Sequence, residues 1–340
     1  MVGVSRRWSV AVLTIVGAVA LLLPTLVLSG PGLAQAAPGS RIVKVVANGP
    51  QGQVLSVYSA SMQRTIPVEV LLPHDTAAPA PVFYLLNGAG GGEDGATWDK
   101  RTDYRKYFAD KQTYVVTPVG GESSYYTNWL HVDANLGTNQ WQTFLTEELP
   151  PLINAHYRTT GRNAIGGISM SGTSVFNLAI AAPRLYTSIA AWSGCARTSD
   201  PVGQQYVRLV VTTQPGAANF DNMWGPPGGP LWIKNDPYIN AAKLRGTKIY
   251  MSSGTGLPGP HETLNDPSVN GDVPWLANQT VVGGVIEAAI DQCTRQMATR
   301  LQELHIPADV TLRATGTHSW GYWQDDLEQT WPKIAHDLAG

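Results

Sequence analysis

Cysteine is scarce in this sequence: Cys195 and Cys293 are the only two among 340 residues. Two such distant thiols argue against a cysteine-bound metal, and no metal site is expected. In an oxidising compartment the two are expected to pair, and a bond closing so long a loop stabilises a fold by about 2 to 5 kcal/mol. Two separate buried thiols are the alternative, because the sequence does not give the distance between them.

Basic charge is not in excess either. The chain has 23 basic and 25 acidic residues, and charged residues are only 14% of it, which excludes a nucleic-acid partner. Glycine (35), proline (24) and tryptophan (11) are plentiful instead. This profile is typical of many turns and apolar aromatic grooves, as in proteins that handle sugars or lipids, although tryptophan also serves simply as core.

Long apolar runs are absent beyond the N-terminus. There Arg6 and Arg7 precede an apolar segment over residues 10–28, and Ala34-Gln35-Ala36 forms a small-x-small cleavage pattern. We predict a signal peptide over residues 1–36, with a membrane anchor as the alternative and with both the general secretory and the twin-arginine routes open. The mature protein is expected to be secreted or to lie in the cell envelope, without a transmembrane anchor.

Residues 37–340 are predicted to form one domain, large enough for a sizeable core. Its opening strands form an antiparallel meander, and later strands alternate with helical segments, which indicates an α/β fold with a mostly parallel central sheet and helices on both faces. A Gly/Pro/Asn/Trp-rich stretch between Gly194 and Arg245 is expected to be an irregular insertion. The predicted strands are Ile42–Val46, Gln53–Tyr58, Ile66–Leu72, Val82–Leu86, Tyr114–Pro118, Ala164–Ile168, Ser188–Trp192, Lys248–Ser252 and Ala308–Ala314.

The most informative stretch is Gly167-Ile168-Ser169-Met170-Ser171-Gly172, where an apolar run ends on small residues around one serine and a helical segment follows. This pattern predicts a nucleophile elbow: Ser169 is the acyl-transfer nucleophile, and the next backbone N–H, that of Met170, faces the oxyanion. The strict G-x-S-x-G pattern is not met, because Ser171 takes the second small position. An ordinary tight turn before a helix is the alternative.

A serine hydroxyl needs a base, and usually a carboxylate that orients the base. With a nucleophile elbow, the triad residues follow one another along the chain in the order serine, acid, histidine. Of seven histidines, His318 lies in the loop just after the last predicted strand and is the expected base; His261 and His305 are its rivals. The acid is not chosen by the pattern. Its candidates are Glu262, Asp266, Asp272, Glu287 and Asp291.

The glycine-rich loop Gly88–Gly92 follows a buried strand. Its backbone is expected to supply the second oxyanion donor, from Ala89 or Gly88. A phosphate-binding loop is the alternative, but it lacks the lysine of a P-loop and a clean G-x-G-x-x-G register. No cofactor is expected.

Several longer blocks carry a family resemblance, and together they span most of the chain after residue 36. They are Tyr84–Gly88, Thr97–Asp99, Pro118–Trp129, Trp141–Pro150, Gly167–Gly172, Asn222–Pro226, Asn235–Pro237 and Gly316–Trp323. On these blocks the chain resembles the antigen 85 type mycolyltransferases of mycolic-acid bacteria, in the esterase D branch of the α/β-hydrolase fold.

The resemblance implies a triad of Ser169, His318 and Glu287, with Met170 and Ala89 as the oxyanion hole. It implies transfer of a mycoloyl chain from trehalose monomycolate to trehalose, arabinogalactan or another envelope acceptor through a serine ester, by a protein expected to be a monomer. Trp320 is then expected to line the acceptor site. The disulfide would brace the nucleophile region against the segment carrying Glu287.

The chain departs from the family where trehalose is held. Asn87 and Gly90 stand at the substrate-binding positions where the family usually has Asp and Arg, so a charged clamp on the sugar is missing. We expect weaker trehalose affinity or a different acceptor. Two other functions stay open on the same fold: a secreted carboxylesterase in which water takes the acyl group, and a non-catalytic cell-wall binder.

Overall fold

The computed structural model describes residues 39–340. The predicted signal peptide, residues 1–36, lies outside the described residues. Within them no helix combines the length and the hydropathy that a membrane span requires.

A nine-stranded sheet forms the centre of the described chain, in the order β1-β2-β3-β5-β4-β6-β7-β8-β9. The first three strands pair antiparallel, as the predicted meander requires, and β3 pairs antiparallel with β5. The other pairs are parallel. The strands are β1 Arg41–Ala47, β2 Gly52–Ser59, β3 Arg64–Leu71, β4 Ala80–Leu86, β5 Tyr114–Pro118, β6 Thr159–Ile168, β7 Ser188–Trp192, β8 Lys248–Ser253 and β9 Asp309–Leu312.

Helices cover both faces of this sheet. Two π-helical turns, Phe144–Glu148 and Gln279–Gly283, interrupt longer helical stretches, and a 3-10 turn spans Ala241–Leu244. The α-helices are α1 Trp98–Arg101, α2 Tyr104–Phe108, α3 Trp141–Thr143, α4 Leu149–His156, α5 Met170–Ala181, α6 Pro201–Thr213, α7 Asp221–Trp224, α8 Pro230–Lys234, α9 Val273–Asn278, α10 Gly284–Glu303 and α11 Trp320–Ala339.

An apolar core lies on each face of the sheet, between the strands and the helices. Neighbouring residues of a strand point to opposite faces, so they join different cores. Ile165 and Ile189 join the core that contains α4, α5 and α10. Ala164 and Ala190, one residue away, join the core that contains α1, α2 and α11, which is rich in tryptophan. The predicted mostly parallel sheet with helices on both faces is therefore confirmed.

The expectation of an irregular insertion between Gly194 and Arg245 is wrong in part. The 13-residue helix α6 lies inside it, together with the short helices α7 and α8. The Asp200 side chain caps α6 by accepting the N–H groups of Val202 and Gly203, and Pro201 is its first residue. An acidic cap followed by proline favours a helix start even in a Gly/Pro-rich stretch.

Candidate active site

The turn at Ser169 joins the carboxyl end of β6 to the first residue of α5. Ser169 has φ 54° and ψ −122°, a conformation that L-residues rarely adopt. Its backbone N–H donates to Trp192 O at 3.0 Å, which ties the turn to β7. A Cβ at Gly172 would come within 3.0 Å of the Gly194 Cα, so only small residues fit around the turn. This is the geometry expected of a nucleophile elbow.

Ser171 accounts for the departure from the strict elbow pattern. Its hydroxyl, fully buried, accepts the Ile168 N–H at 2.9 Å and lies 3.0 Å from Ile168 O, to which it can donate. The side chain thus satisfies backbone groups at the end of β6 that a glycine would leave to other partners. Ser171 therefore stabilises the elbow through its own hydrogen bonds to the backbone of Ile168.

A chain of two hydrogen bonds connects Ser169, His318 and Glu287. Ser169 Oγ lies 2.8 Å from His318 Nε2, and His318 Nδ1 lies 2.8 Å from Glu287 Oε2. A neutral imidazole with its proton on Nδ1, assigned from these partners, donates to the carboxylate and accepts the serine proton at Nε2. That is the arrangement in which a histidine acts as general base.

Glu287 is fully buried near the start of α10, directly after the π-helical turn Gln279–Gly283. Its Oε1 accepts the Ser193 hydroxyl at 2.8 Å and the Gly254 N–H at 2.7 Å. Ser193 Oγ in turn accepts the Trp323 indole N–H at 3.1 Å, and the Trp323 ring packs edge-on against His318 at 4.9 Å. Both carboxylate oxygens are therefore fixed, so the imidazole has one orientation.

A second buried carboxylate and an arginine lie behind Glu287. Arg313 NH2 is 3.6 Å from Glu287 Oε1, and its NH1 contacts Asp326 Oδ1. Burial raises the pKa of Asp326 to about 6, opposed by the nearby Arg313 guanidinium. The arginine supplies the positive charge that a buried carboxylate pair needs.

Two backbone N–H groups close to Ser169 have no hydrogen-bond acceptor among residues 39–340. Met170 is the first residue of α5, so its N–H has no partner within the helix. The Ala89 N–H has no acceptor among residues 39–340, whereas its carbonyl accepts the Ser123 N–H at 2.8 Å. A Cβ on the neighbouring Gly88 would lie 3.8 Å from the Ser169 Cβ, so this loop runs alongside the nucleophile. Both predicted oxyanion donors are thus near Ser169 and unengaged.

The predicted sugar-binding positions lie in the same loop. Asn87 is fully buried; its amide nitrogen donates to Gly91 O at 3.4 Å and Pro118 O at 3.3 Å, and its Oδ1 accepts the Trp98 N–H at 3.4 Å. Gly90 is buried, and a Cβ there would overlap the carboxylate of Asp94. The side chain of Asn87 is used within the loop, and its contact with a sugar stays a prediction.

Trp320 begins α11 and is 7% exposed. Its ring packs edge-on against Trp98 at 5.4 Å and against Trp323 at 5.2 Å. The residue is part of the tryptophan-rich core next to His318, and its role in lining an acceptor site stays a prediction.

The rival histidines do not approach Ser169. His261 is hydrogen-bonded through Nδ1 to Asp266 at 2.6 Å and through Nε2 to Asp325 at 2.8 Å. The hydrogen bond to Asp325, followed by that to Asp266, raises the pKa of His261 to about 9. It is a cation at neutral pH that joins the loop after β8 to α11. His305 lies just beyond α10 with φ 55°.

The other candidate acids have different partners. Glu262 accepts the Tyr322 hydroxyl and the Thr317 hydroxyl, each at 2.6 Å. Asp272 caps α9, and Asp291 accepts the Ser253 hydroxyl at 3.1 Å. Of the five candidates, Glu287 contacts the His318 ring.

The predicted disulfide between Cys195 and Cys293 is confirmed. Cys195 follows β7, next to the glycine that packs on the elbow, and Cys293 lies on α10 six residues after Glu287. The bond therefore joins the nucleophile region to the helix that carries the acid. Among residues 39–340 no group of His, Cys, Asp or Glu side chains is arranged to hold a metal ion.

Three residues that hold the triad in place were not predicted from the sequence: Ser193, Gly254 and Trp323. A signal for the first two exists: each directly follows a buried parallel strand, at the sheet edge where Ser169 lies. Polar groups at that edge of an α/β sheet converge on its site.

Comparisons with known proteins identify the family of the chain. Residues 59–334 match the family described as "Putative esterase". The chain is 30% identical to the diacylglycerol acyltransferase/mycolyltransferase Ag85A of Mycobacterium tuberculosis strain H37Rv over 99% of its length and 93% of the relative's. It is 32% identical to Ag85B of Mycobacterium leprae, over 99% of this chain and 96% of that one.

Solved structures show the same fold. MPT51 of Mycobacterium tuberculosis superposes with a TM-score of 0.67 at 24% identity, covering 86% of this chain and 100% of that one. An S-formylglutathione hydrolase from Agrobacterium tumefaciens superposes at 0.63 with 17% identity, covering 88% and 99%. The predicted α/β-hydrolase fold is thereby confirmed. The chain belongs to the antigen 85 mycolyltransferase family, within the esterase-family α/β hydrolases.

Proposed function

We propose that this protein is a secreted serine acyltransferase that moves mycoloyl groups from trehalose monomycolate to trehalose, arabinogalactan or another envelope acceptor. The observation that carries the proposal is the unbroken hydrogen-bonded chain from Ser169 through His318 to the fully buried Glu287. The antigen 85 relatives supply the substrate class, since they are named diacylglycerol acyltransferases/mycolyltransferases.

The mechanism follows from the two hydrogen bonds. Ser169 Oγ attacks the ester carbonyl while His318 Nε2 takes its proton, and Glu287 holds the imidazolium that results. The oxyanion receives the N–H groups of Met170 and Ala89. Collapse breaks the bond to the sugar oxygen, which takes the proton from His318 and leaves as a hydroxyl, while the acyl group stays esterified to Ser169. An acceptor hydroxyl, deprotonated by His318, then attacks that ester and restores the serine.

The surface beside the triad supports a lipid acyl donor. Four aliphatic residues are exposed on the helical stretch just before Glu287, with Val285 71% accessible: Val281, Val282, Val285 and Ile286. His318 adjoins the same stretch, because its N–H donates to Gly283 O at 3.1 Å. Exposed aliphatic side chains next to a catalytic centre suit a long alkyl chain better than a polar substrate.

The disulfide supports export, because such bonds persist in oxidising compartments. Whether residues 1–36 direct it remains the prediction made from the sequence.

Hydrolysis is the second candidate, and one observation favours it. The positions that carry a charged sugar clamp in the family hold a buried amide, Asn87, and Gly90, which has no side chain. A site that binds trehalose weakly lets water compete for the acyl-serine.

One assay separates transfer, hydrolysis and binding alone. The purified protein is incubated with trehalose monomycolate and, in turn, trehalose or diacylglycerol, and the lipids are separated. Acylated acceptor supports transfer, and free mycolate alone supports hydrolysis. Neither product, together with no fluorophosphonate labelling of Ser169, would leave only a binding role; Ser169→Ala is the blank in each arm.

A further inference from the structure

A cavity of about 620 Å³ opens at the end of the sheet opposite to Ser169. Arg162 lies on β6 seven residues before Ser169, so the two residues are about 23 Å apart at roughly 3.3 Å per residue. The cavity is therefore separate from the candidate active site. Its basic lining residues are Arg162, Arg184, Lys243, Arg245, Lys248 and His336.

Strand register brings these side chains together from distant parts of the chain. Ala164 of β6 pairs with Ser188 of β7, which pairs with Lys248 of β8. Arg184 and Arg245 lie in the turns that lead into β7 and β8, so both reach the same edge. A smaller cavity of about 260 Å³ continues from the Arg245–Lys248 turn to His305.

Counter-charge is scarce at this cavity. Asp337 is the single acidic side chain that lines it, and its Oδ2 already accepts the Tyr250 hydroxyl at 2.7 Å. None of the five lysines and arginines lining it forms an ion pair with a carboxylate within residues 39–340, where other lysines and arginines do. The lining stays cationic even when the carboxyl group of Gly340 is counted with Asp337, although the whole chain has a net charge of −2.

One donor in the lining lacks an acceptor. Arg162 NH2 donates to Asp337 O at 2.6 Å, which fixes the guanidinium, while its buried Nε has no hydrogen-bond partner. A buried donor without a partner is unfavourable, and an anion held near the guanidinium offsets this cost. Three arginines around one concavity match the tetrahedral oxygens of a phosphate group, which guanidinium binds in a bidentate manner.

We propose that this cavity, which we name the basic cavity, binds the phosphate group of a small anionic ligand. Its volume lies in the range of small-ligand sites, so the phosphate is carried by a compact polar body such as a sugar phosphate or a phosphoinositide headgroup. The site acts independently of the acyl-transfer chemistry, and a ligand held there leaves the Ser169 edge open.

The test uses inorganic pyrophosphate as probe, in titration calorimetry at physiological ionic strength. The protein is expected to bind it at one site, and the pair variant Arg184→Gln/Arg245→Gln is expected to bind at least about tenfold more weakly, since charge-assisted hydrogen bonds are the strong ones. Arg41→Gln/Lys44→Gln is the matched control: it removes two exposed cations on β1, the edge strand on the far side of the sheet from β7 and β8, and should bind as the wild type does. Lys248→Gln is a second cavity variant, for use if the pair variant does not fold.

A vesicle arm distinguishes the two sources of phosphate. Phosphatidylcholine vesicles with and without phosphatidylinositol are sedimented with the same variants. Binding only to the inositol-containing vesicles, lost in the pair variant, would assign the site to a headgroup, and pyrophosphate binding would assign it to a free ligand. The proposal is overturned if neither probe binds or if the control pair loses as much affinity as the cavity variants. Ester hydrolysis is measured alongside and should be equal in all of them.

Discussion

Glu287→Gln is the substitution for which the structure makes the sharpest prediction, because the surroundings decide how the new amide must orient. Oε1 of the carboxylate receives the Gly254 N–H and the Ser193 hydroxyl. A backbone N–H cannot reverse its role, so the amide oxygen of glutamine takes this position. The amide NH2 must then point at His318 Nδ1, the place now held by Oε2.

That orientation forces the wrong tautomer. His318 Nδ1 has to accept the amide N–H, so the ring proton moves to Nε2, the nitrogen that faces Ser169 Oγ at 2.8 Å. A protonated Nε2 cannot take the serine proton. The equivalent acid-to-amide change in a serine protease lowers kcat about 10⁴-fold, which corresponds to about 5 kcal/mol of activation free energy.

The assay is kcat for hydrolysis of a p-nitrophenyl ester, with the urea midpoint of each variant measured in parallel. Asp291→Asn is the matched control: it makes the same chemical change on the same helix, at a side chain that contacts Ser253 and Arg295 rather than a histidine. We expect kcat of Asp291→Asn to lie within about threefold of the wild-type value, because this side chain lies away from the reacting groups. Activity of Glu287→Gln above a tenth of wild type would refute the tautomer argument, and an equal loss in Asp291→Asn would trace the effect to α10 packing.

Three further predictions concern stability. The pKa of His261 is about 9 in the folded protein, against an ordinary value near 6.5, so below about pH 6.5 the wild type should be more stable than His261→Gln by on the order of 2 kcal/mol after solvent screening. This advantage should be lost as the pH rises through 9, and urea melts at several pH values would contradict it if the difference in stability stayed constant. Replacing Cys195 and Cys293 together by serine should cost about 4 to 5 kcal/mol, since the bond spans 98 residues, and an unchanged urea midpoint would count against the closure argument. Asn87→Asp should lower the melting temperature without improving trehalose affinity; tighter inhibition of ester hydrolysis by trehalose in that variant, at unchanged stability, would show the opposite.

Ser169 and His318, the proposed nucleophile and base, could be chosen from the sequence because both choices depend on local pattern and chain order. Small residues flank Ser169 between a buried strand and a helix, and His318 comes in the loop between β9 and α11. The acid could not be chosen in this way, because the pattern leaves five candidate carboxylates in the segment after β8. Selection of Glu287 depends on partners from other elements, Ser193 after β7 and Gly254 after β8, and only the family resemblance indicated it beforehand.

Helix α6 was missed for a different reason. Its surroundings, rich in Gly, Pro and Trp, dominated the composition of the whole stretch, while the local start signal of Asp200 followed by Pro201 was short. The composition of a stretch is an average over many residues, whereas two or three residues decide where a helix starts. Strand β9 also came out shorter than predicted, because its outer residues continue into the loop that presents His318.

The contacts of the loop that carries Asn87 and Gly90 do not suit the charged residues that the family resemblance leads us to expect there. The Asn87 amide nitrogen lies against two carbonyl oxygens, those of Gly91 and Pro118, so an aspartate there would set a carboxylate oxygen against two acceptors inside a buried loop. A side chain at Gly90 would in turn displace Asp94, whose Oδ1 caps the Ala96 N–H at 2.9 Å. Restoring either charged group alone therefore strains the loop. Introducing the charged pair at Asn87 and Gly90 therefore requires rebuilding the turn, including Asp94, as well as adding the charges.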